Sequence, residues 1–351
     1  MANLFSYRID NHGDNVRPDG IQQARAKFRA GEITADERRE AEDAAILEFL
    51  SYQRHLTLSC LSDGNFRDGD YRSSVLQSVA GFRRVPDQKF PDGLGVWTVD
   101  APLKQKKPIA IDAARFVLEN TGFPVKVKLP SASHIAAQTY SDDATRRAYP
   151  GAAALGDAIA ELLHAELELL FEIGVAFVQF DNPDYAAYLA GRGSELLSFE
   201  EALEIDHAVV AGVEREEHQK VALTIGWGDH LDADIDRDRA ERLFASGYDK
   251  FTFPYHTDAA VAQNLPLLVP DDKQIGLGIV DAFDPSLEAV DAVMARLDIA
   301  IEQHEYDRIG LLPHRGFHPI HYIDAPLTIA QQRKKLEHVE TFATMIWGNE
   351  A

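Results

Sequence analysis

Eight short apolar runs, separated by longer stretches with helical periodicity, most constrain what this chain can fold into. They are Leu4–Ile9, Leu56–Leu61, Val125–Leu129, Val175–Phe180, Val221–Ile225, Lys250–Phe253, Gln274–Ile279 and Arg308–Leu312. Short strands joined by helix-length crossovers lie parallel. Eight of them, each followed by helical sequence, predict a closed (βα)8 barrel rather than an open sheet. The expected organisation is one α/β barrel domain over residues 1–351, with no internal repeat.

The helices have local support. Thr34 and Glu37 have the spacing of a capping box, which predicts a helix running to about Gln53. Leu155, Ile159, Leu162, Leu163, Leu167 and Leu170 form a stripe at helical spacing, as do Leu287, Val290, Met294, Leu297 and Ile301. A last helix is expected around Thr328–Trp347. Between Gly81 and Pro108 the repeat breaks. Pro86, Pro91, Gly93, Gly95, Pro102 and Pro108, with a strand candidate at Val96–Val99, predict a loop or β-hairpin inserted after the second strand, and such insertions often cover a site.

Composition excludes several classes. A net charge of -22 repels nucleic acid and anionic membrane surfaces. No apolar run approaches a membrane span, and the N-terminus lacks a signal-peptide core, so a cytoplasmic location is expected. The lone Cys60 rules out a disulfide within the chain and a CxxC site, and it reads as a buried core thiol.

In a barrel, chemistry gathers just beyond the C-terminal ends of the strands. Each predicted strand here is followed there by a polar cluster, from Asp10–Asp14 after the first to Pro313–His318 after the eighth. Asp181 ends an apolar strand, where a carboxylate needs a partner. His230, His256, His314, His318 and His321 fall on the same face. No pair has the tight spacing of a metal motif, so no metal is assigned. The alternative is zinc or iron held by His230, His256, His314 or His318.

The order of several short motifs is specific. Gly13, Val16–Pro18, Ala24–Arg25, Gly31–Ile33, Asp43–Ile46, Gln53 and Ser62–Arg67 follow one another at defined spacings, and Lys128–Ser131, Gln179–Pro183, Gly278–Asp281 and Pro313–Phe317 continue the series. In these residues, from about Asp10 to Thr344, the chain resembles the C-terminal catalytic barrel of cobalamin-independent methionine synthase and its single-barrel relatives. The resemblance implies a (βα)8 barrel of the methionine synthase and uroporphyrinogen decarboxylase type. It also implies methyl or alkyl transfer to a thiol in methionine biosynthesis, with a methylated folate as donor and a zinc ion that holds the thiolate.

The departures from that pattern are equally specific. The positions where the resemblance implies zinc ligands are Thr224, Gly226, Pro254 and Arg315, none of which is a family ligand. Asp14 and Asn65 replace the family residues that bind the amino-acid substrate. Asp181 matches the Asp that holds the substrate ammonium. Three readings follow. The first is an enzyme with a metal-free site acting on a small polar or anionic substrate. There Arg67 and Arg315 grip an anion, Asp181 orients an ammonium or acts as general base, and His256 or His314 shuttles a proton. Trp227 forms an apolar wall, and Asp14, Asn65, Asp229 and His230 complete the substrate site. The second is an alkyltransferase to a thiol. The third is a non-catalytic small-molecule binding or accessory protein. Oligomeric state is not legible.

Overall fold

The computed structural model describes residues 8–141, 143–226, 234–257 and 264–348. The chain begins with α1 (Asp19–Arg29), α2 (Ala35–His55) and α3 (Ser73–Ser78), then the strands β1 (Val79–Lys89) and β2 (Gly95–Gln105). Next come α4 (Ile111–Asn120), β3 (Lys126–Pro130), α5 (Ala132–Thr139), α6 (Asp143–Ala148) and α7 (Ala152–Glu172). β4 (Phe177–Asp181), α8 (Tyr185–Leu189), α9 (Phe199–Val210), β5 (Lys220–Thr224) and α10 (Arg237–Phe244) follow. The last elements are β6 (Lys250–Pro254), β7 (Gln274–Val280), α11 (Val290–Ile301), β8 (Ile309–Pro313) and α12 (Ile329–Trp347).

Strands β3 to β8 form one parallel sheet in sequence order. The expected first and second strands are reduced to single bridges that close it. Ile9 pairs with Leu311 of β8, and Leu61 pairs with Val125 beside β3. Ser59 N–H donates to Ile9 O at 2.9 Å and joins the two. The shortening of the second has a local cause. Helix α2 continues to His55, and Thr57 then turns with φ 48°, which leaves only Ser59–Leu61 extended enough to pair. Of the expected first strand, Leu4 to Tyr7 lie outside the described residues. The six remaining strands fall within two residues of their expected bounds.

The capping box at Thr34 and Glu37 forms as expected. On α7, Leu155, Ile159, Leu163, Leu167 and Leu170 are buried. The stripe expected on α11 needs correcting. Leu287 precedes the helix and is exposed, while the helix turns Val293, Leu297 and Ala300 inward. The insertion is an antiparallel hairpin of β1 and β2, in register from Val79 opposite Gln105 to Lys89 opposite Gly95. Cys60 packs with Phe177 and Ala222 inside the barrel, and burial pushes its thiol well above the usual range. Among the described residues, no helix is long and apolar enough to cross a membrane.

Candidate active site at the barrel mouth

Strand register brings the inward-facing residues of neighbouring strands level with one another. Pro130, Asp181 and Thr224 are aligned across β3, β4 and β5, and Thr224 is aligned with Thr252 of β6. The result is a buried chain of hydrogen bonds. Thr252 Oγ1 donates to Thr224 Oγ1 at 2.9 Å, and Thr224 Oγ1 donates to Asp181 Oδ1 at 2.9 Å. Gln179 Nε2 donates to the same Asp181 oxygen at 2.7 Å.

The other oxygen of Asp181 faces an ammonium from the chain itself. Lys128 Nζ lies 2.8 Å from Asp181 Oδ2 and also donates to Asp14 Oδ2. All three residues are buried. Burial works against the charge on Lys128, but Asp14 and Asp181 hold its pKa above the usual value. Burial works to raise Asp181, but Lys128 and the hydrogen bonds bring it below the usual carboxylate range. Burial raises Asp14 despite Lys128. The expected role of Asp181 therefore needs correcting. An ammonium already occupies it, and a depressed pKa makes it a poor general base at neutral pH. Deeper in the barrel, Lys126 Nζ donates to Asp10 Oδ2 at 2.6 Å.

Backbone geometry at Gly13 makes this possible. Gly13 has φ 110°, and a Cβ there would lie 2.7 Å from Lys128 Cδ. Beside it, His12 is buried and neither ring nitrogen has a partner. Burial, opposed by Asp181 and aided by Lys128, lowers His12 to about 3, so the ring is neutral at pH 7. Gln179 Oε1 and Asp14 Oδ1 are also buried without partners. Native structures leave few such atoms unsatisfied, so this cluster calls for a ligand or water.

His256 and His314 are brought together with ring centroids 4.0 Å apart. Gly278 permits this, because a Cβ there would lie 2.4 Å from His314 Cα. His314 Nδ1 lies 3.0 Å from Ala282 N and 3.2 Å from Val280 O, so it either accepts from that N–H or donates to that carbonyl, according to the tautomer. Burial, His256 and Arg315 lower His314 well below its usual value, and burial lowers His256. Arg315 is half-buried, with Cζ 4.4 Å from the Phe283 ring centroid.

Arg67 pairs with Asp43 of α2 and lies over Phe116, on a small cavity that Asn65, Asp68 and the β3 lysines Lys126 and Lys128 also line. Asn65 reaches the mouth itself, since a Cβ on Gly13 would lie 3.3 Å from its Oδ1 and 2.7 Å from Lys128 Cδ. Within that cavity, burial and Asp63 raise Asp68 to about 7. Arg67 is thus not a free anion anchor at the barrel mouth. His318 is not with His256 and His314. It meets His321 edge to face, with centroids 4.9 Å apart, and its Nε2–H donates to Ile323 O at 2.9 Å. Trp227, Asp229 and His230 lie outside the described residues.

Sequence reading missed Lys128 and His12 as site groups. Lys128 sits in a strand that reads as apolar with two lysines, where the alternation Lys126, Lys128, Pro130 along one face was the available signal. Arg17 was also missed in its role. Its guanidinium donates to the carbonyls of Phe66 at 2.7 Å, Asn65 at 2.8 Å and Asp68, and so fixes the loop after the second stave.

The zinc implied by the resemblance does not fit these residues. Thr224 Oγ1 is committed to Asp181. Gly226 has no side chain, and a Cβ there would lie 2.8 Å from Ala186 Cβ. Pro254 has no donor atom, and Arg315 is a cation that repels a metal ion. Among the described residues, no three His, Cys, Asp or Glu side chains converge on a metal position.

Comparison with known proteins agrees with this architecture. The family model described as the catalytic domain of cobalamin-independent synthase matches residues 18–334. An uncharacterized protein of Bacillus subtilis is 21% identical, over 97% of this chain and 95% of its own. A methionine synthase of Sulfolobus acidocaldarius is 19% identical, over 87% of this chain and 84% of its own. The structure of a B12-independent methionine synthase from Shewanella, solved with selenomethionine, superposes with a TM-score of 0.76 at 18% identity, covering 97% of both chains. With a family match over most of its length and a barrel of the same type, the chain belongs to the cobalamin-independent methionine synthase catalytic-domain family.

Proposed function

We propose that this chain is an enzyme that works by acid–base chemistry on a small polar or anionic substrate at the barrel mouth, without the family's zinc. The observation that carries this reading is His12. It is a buried neutral imidazole with both nitrogens unpartnered, beside the Lys128–Asp14–Asp181 cluster. With a pKa of about 3 the ring is too weak a base to take a proton at pH 7, but its two free nitrogens can donate one hydrogen bond to a bound polar substrate and accept another. The paired rings of His256 and His314 supply the groups that move a proton, and Arg315 supplies the charge to hold an anionic substituent.

A second reading is kept because the family favours it: alkyl transfer to a thiol, with a methylated folate as donor. A free thiol of pKa ~8.5 is mostly protonated at neutral pH. This reading therefore requires a group other than zinc to generate the thiolate.

The test is elemental analysis of the chain purified without chelators or a histidine tag, with a methyl-transfer assay from methyltetrahydrofolate to homocysteine. The proposal expects neither stoichiometric zinc nor transfer. One equivalent of zinc with transfer that a chelator abolishes would establish the second reading in its place.

A further inference from the structure

A groove of about 1120 Å³ lies outside the barrel mouth, walled by α1, the hairpin and the segment between β8 and α12. Its lining carries five cations, Arg17, Arg25, Arg29, Arg84 and Lys89, against two carboxylates, Asp19 and Asp324. This reverses the sign of a chain whose net charge is -22.

Three of these cations are unneutralised. Arg25 pairs with Glu42, and Arg17 spends its Nε and Nη2 donors on backbone carbonyls. Arg29, Arg84 and Lys89 are exposed and form no ion pair with any described residue. Arg84 and Lys89 both stand 5.9 Å from the ring centroid of Tyr322, which fixes their stems along one edge of the groove.

A second observation is independent of charge. Arg17 Nη1, His318 Nδ1 and His321 Nε2 are buried and unpartnered, and all three residues line the groove. The residues are 3%, 4% and 5% exposed. His318 donates its other nitrogen to Ile323 O, and His321 donates Nδ1 to Asp68 O at 3.1 Å. Burial lowers the pKa of His318 and so favours the neutral ring, whose free Nδ1 is an acceptor. An anion with no proton of its own, such as sulfate, has nothing to donate to that atom, whereas a hydroxyl does.

We propose that this groove binds a small anionic molecule that also carries hydroxyl groups. Its anionic group lies against Arg29, Arg84 and Lys89, and its hydroxyls reach His318 and His321. Sugar phosphates and hydroxylated polycarboxylates share this chemistry. The groove volume suits a small molecule. The inference does not depend on the reaction at the barrel mouth, since the two sites share none of the residues named for either.

The test is calorimetric titration of the full chain with ribose 5-phosphate, citrate and sulfate. The comparison chain carries Arg29→Ala, Arg84→Ala and Lys89→Ala, three exposed positions whose replacement leaves the core untouched, as an unchanged melting temperature would verify. Ribose 5-phosphate or citrate should bind, and the one that binds names the source. Affinity should fall about tenfold or more in the triple variant and weaken with added salt. Failure of both probes to bind, or equal binding by the triple variant, would overturn the site. Sulfate binding as tightly as the organic probes would overturn the assignment of a hydroxylated ligand.

Discussion

Lys128 Nζ stands 2.8 Å from Asp181 Oδ2 and bonds Asp14 on its other side, so one ammonium neutralises two buried carboxylates. Removing one partner of a buried ion pair leaves uncompensated charge, which typically costs about 3–5 kcal/mol. Lys128→Met should therefore destabilise the fold by about that amount in urea unfolding at pH 7. Adding Asp181→Asn to the same chain should recover part of the loss. If Lys128→Met were as stable as the parent, the ion cluster would have no energetic role.

His12 sets an acid limit. Its folded pKa of about 3 lies below the usual 6.5, so the unfolded chain binds the proton more tightly. Its contribution is complete above pH 6.5 and is lost as pH falls from 6.5 towards 3. A His12→Asn chain should lack this component of acid destabilisation. In NMR the His12 ring should not titrate between pH 5 and 8, and a midpoint near 6.5 would remove it from the buried cluster.

Lys250 sets the opposite limit. Burial, against the pull of Asp10, lowers it from 10.5 to about 8. Below pH 8 both states carry the proton and the folded state bears the full penalty, which fades as pH rises from 8 to 10.5. Lys250→Met should stabilise the chain by up to about 3 kcal/mol at pH 7, with the gain shrinking through that window. The difference in unfolding free energy between the two chains, measured from pH 7 to 10.5, checks it. A gain that does not change with pH would place the effect in packing instead.

Arg17 holds a loop through its Nε and Nη2 groups. Three carbonyls between Asn65 and Asp68 accept from its guanidinium. Arg17→Lys cannot reproduce that fork and should cost about 2 kcal/mol or more. It should also speed hydrogen exchange between residues 65 and 70. Unchanged exchange there would mean that the loop is held by other contacts.

Gly278 should tolerate no side chain. A Cβ would lie 2.4 Å from His314 Cα and 2.9 Å from Phe253 O, both backbone atoms that cannot rotate away. Gly278→Ala should cost about 1–3 kcal/mol and should disturb the His256–His314 stack. Thermal unfolding together with the imidazole NMR signals would read both effects. A variant with parental stability and unshifted imidazole signals would show that β8 can move aside.

The barrel was legible because its six full strands are short, apolar and separated by helix-length sequence. The two reduced staves were less so. The Leu56–Leu61 run looks like a strand, but Thr57 in a left-handed turn ends its first half, and a positive φ at threonine leaves no compositional trace. The site was half legible. His314 and His256 could be placed at strand ends by counting, and they do meet. Arg67 lies in an equally polar segment but is drawn outward by Asp43, a long-range pairing that no local pattern reveals. Lys128 was hidden for the converse reason. A lysine within a strand reads as an edge or surface residue until the carboxylates that receive it are known.

The reduced staves also have a consequence for how this barrel opens. Asp10–Asp14 and Ser62–Arg67 follow directly from Ile9 and Leu61, whose single bridges close the ring between β8 and β3. The seam of the cylinder and the binding mouth are thus the same stretch of chain. A ligand that fastens His12 and Asp14 would act as a latch on that seam, raising the free energy of local opening there by its own binding energy. Amide protons of Ile9, Ser59 and Leu61 would then report occupancy of the mouth before any product is measured.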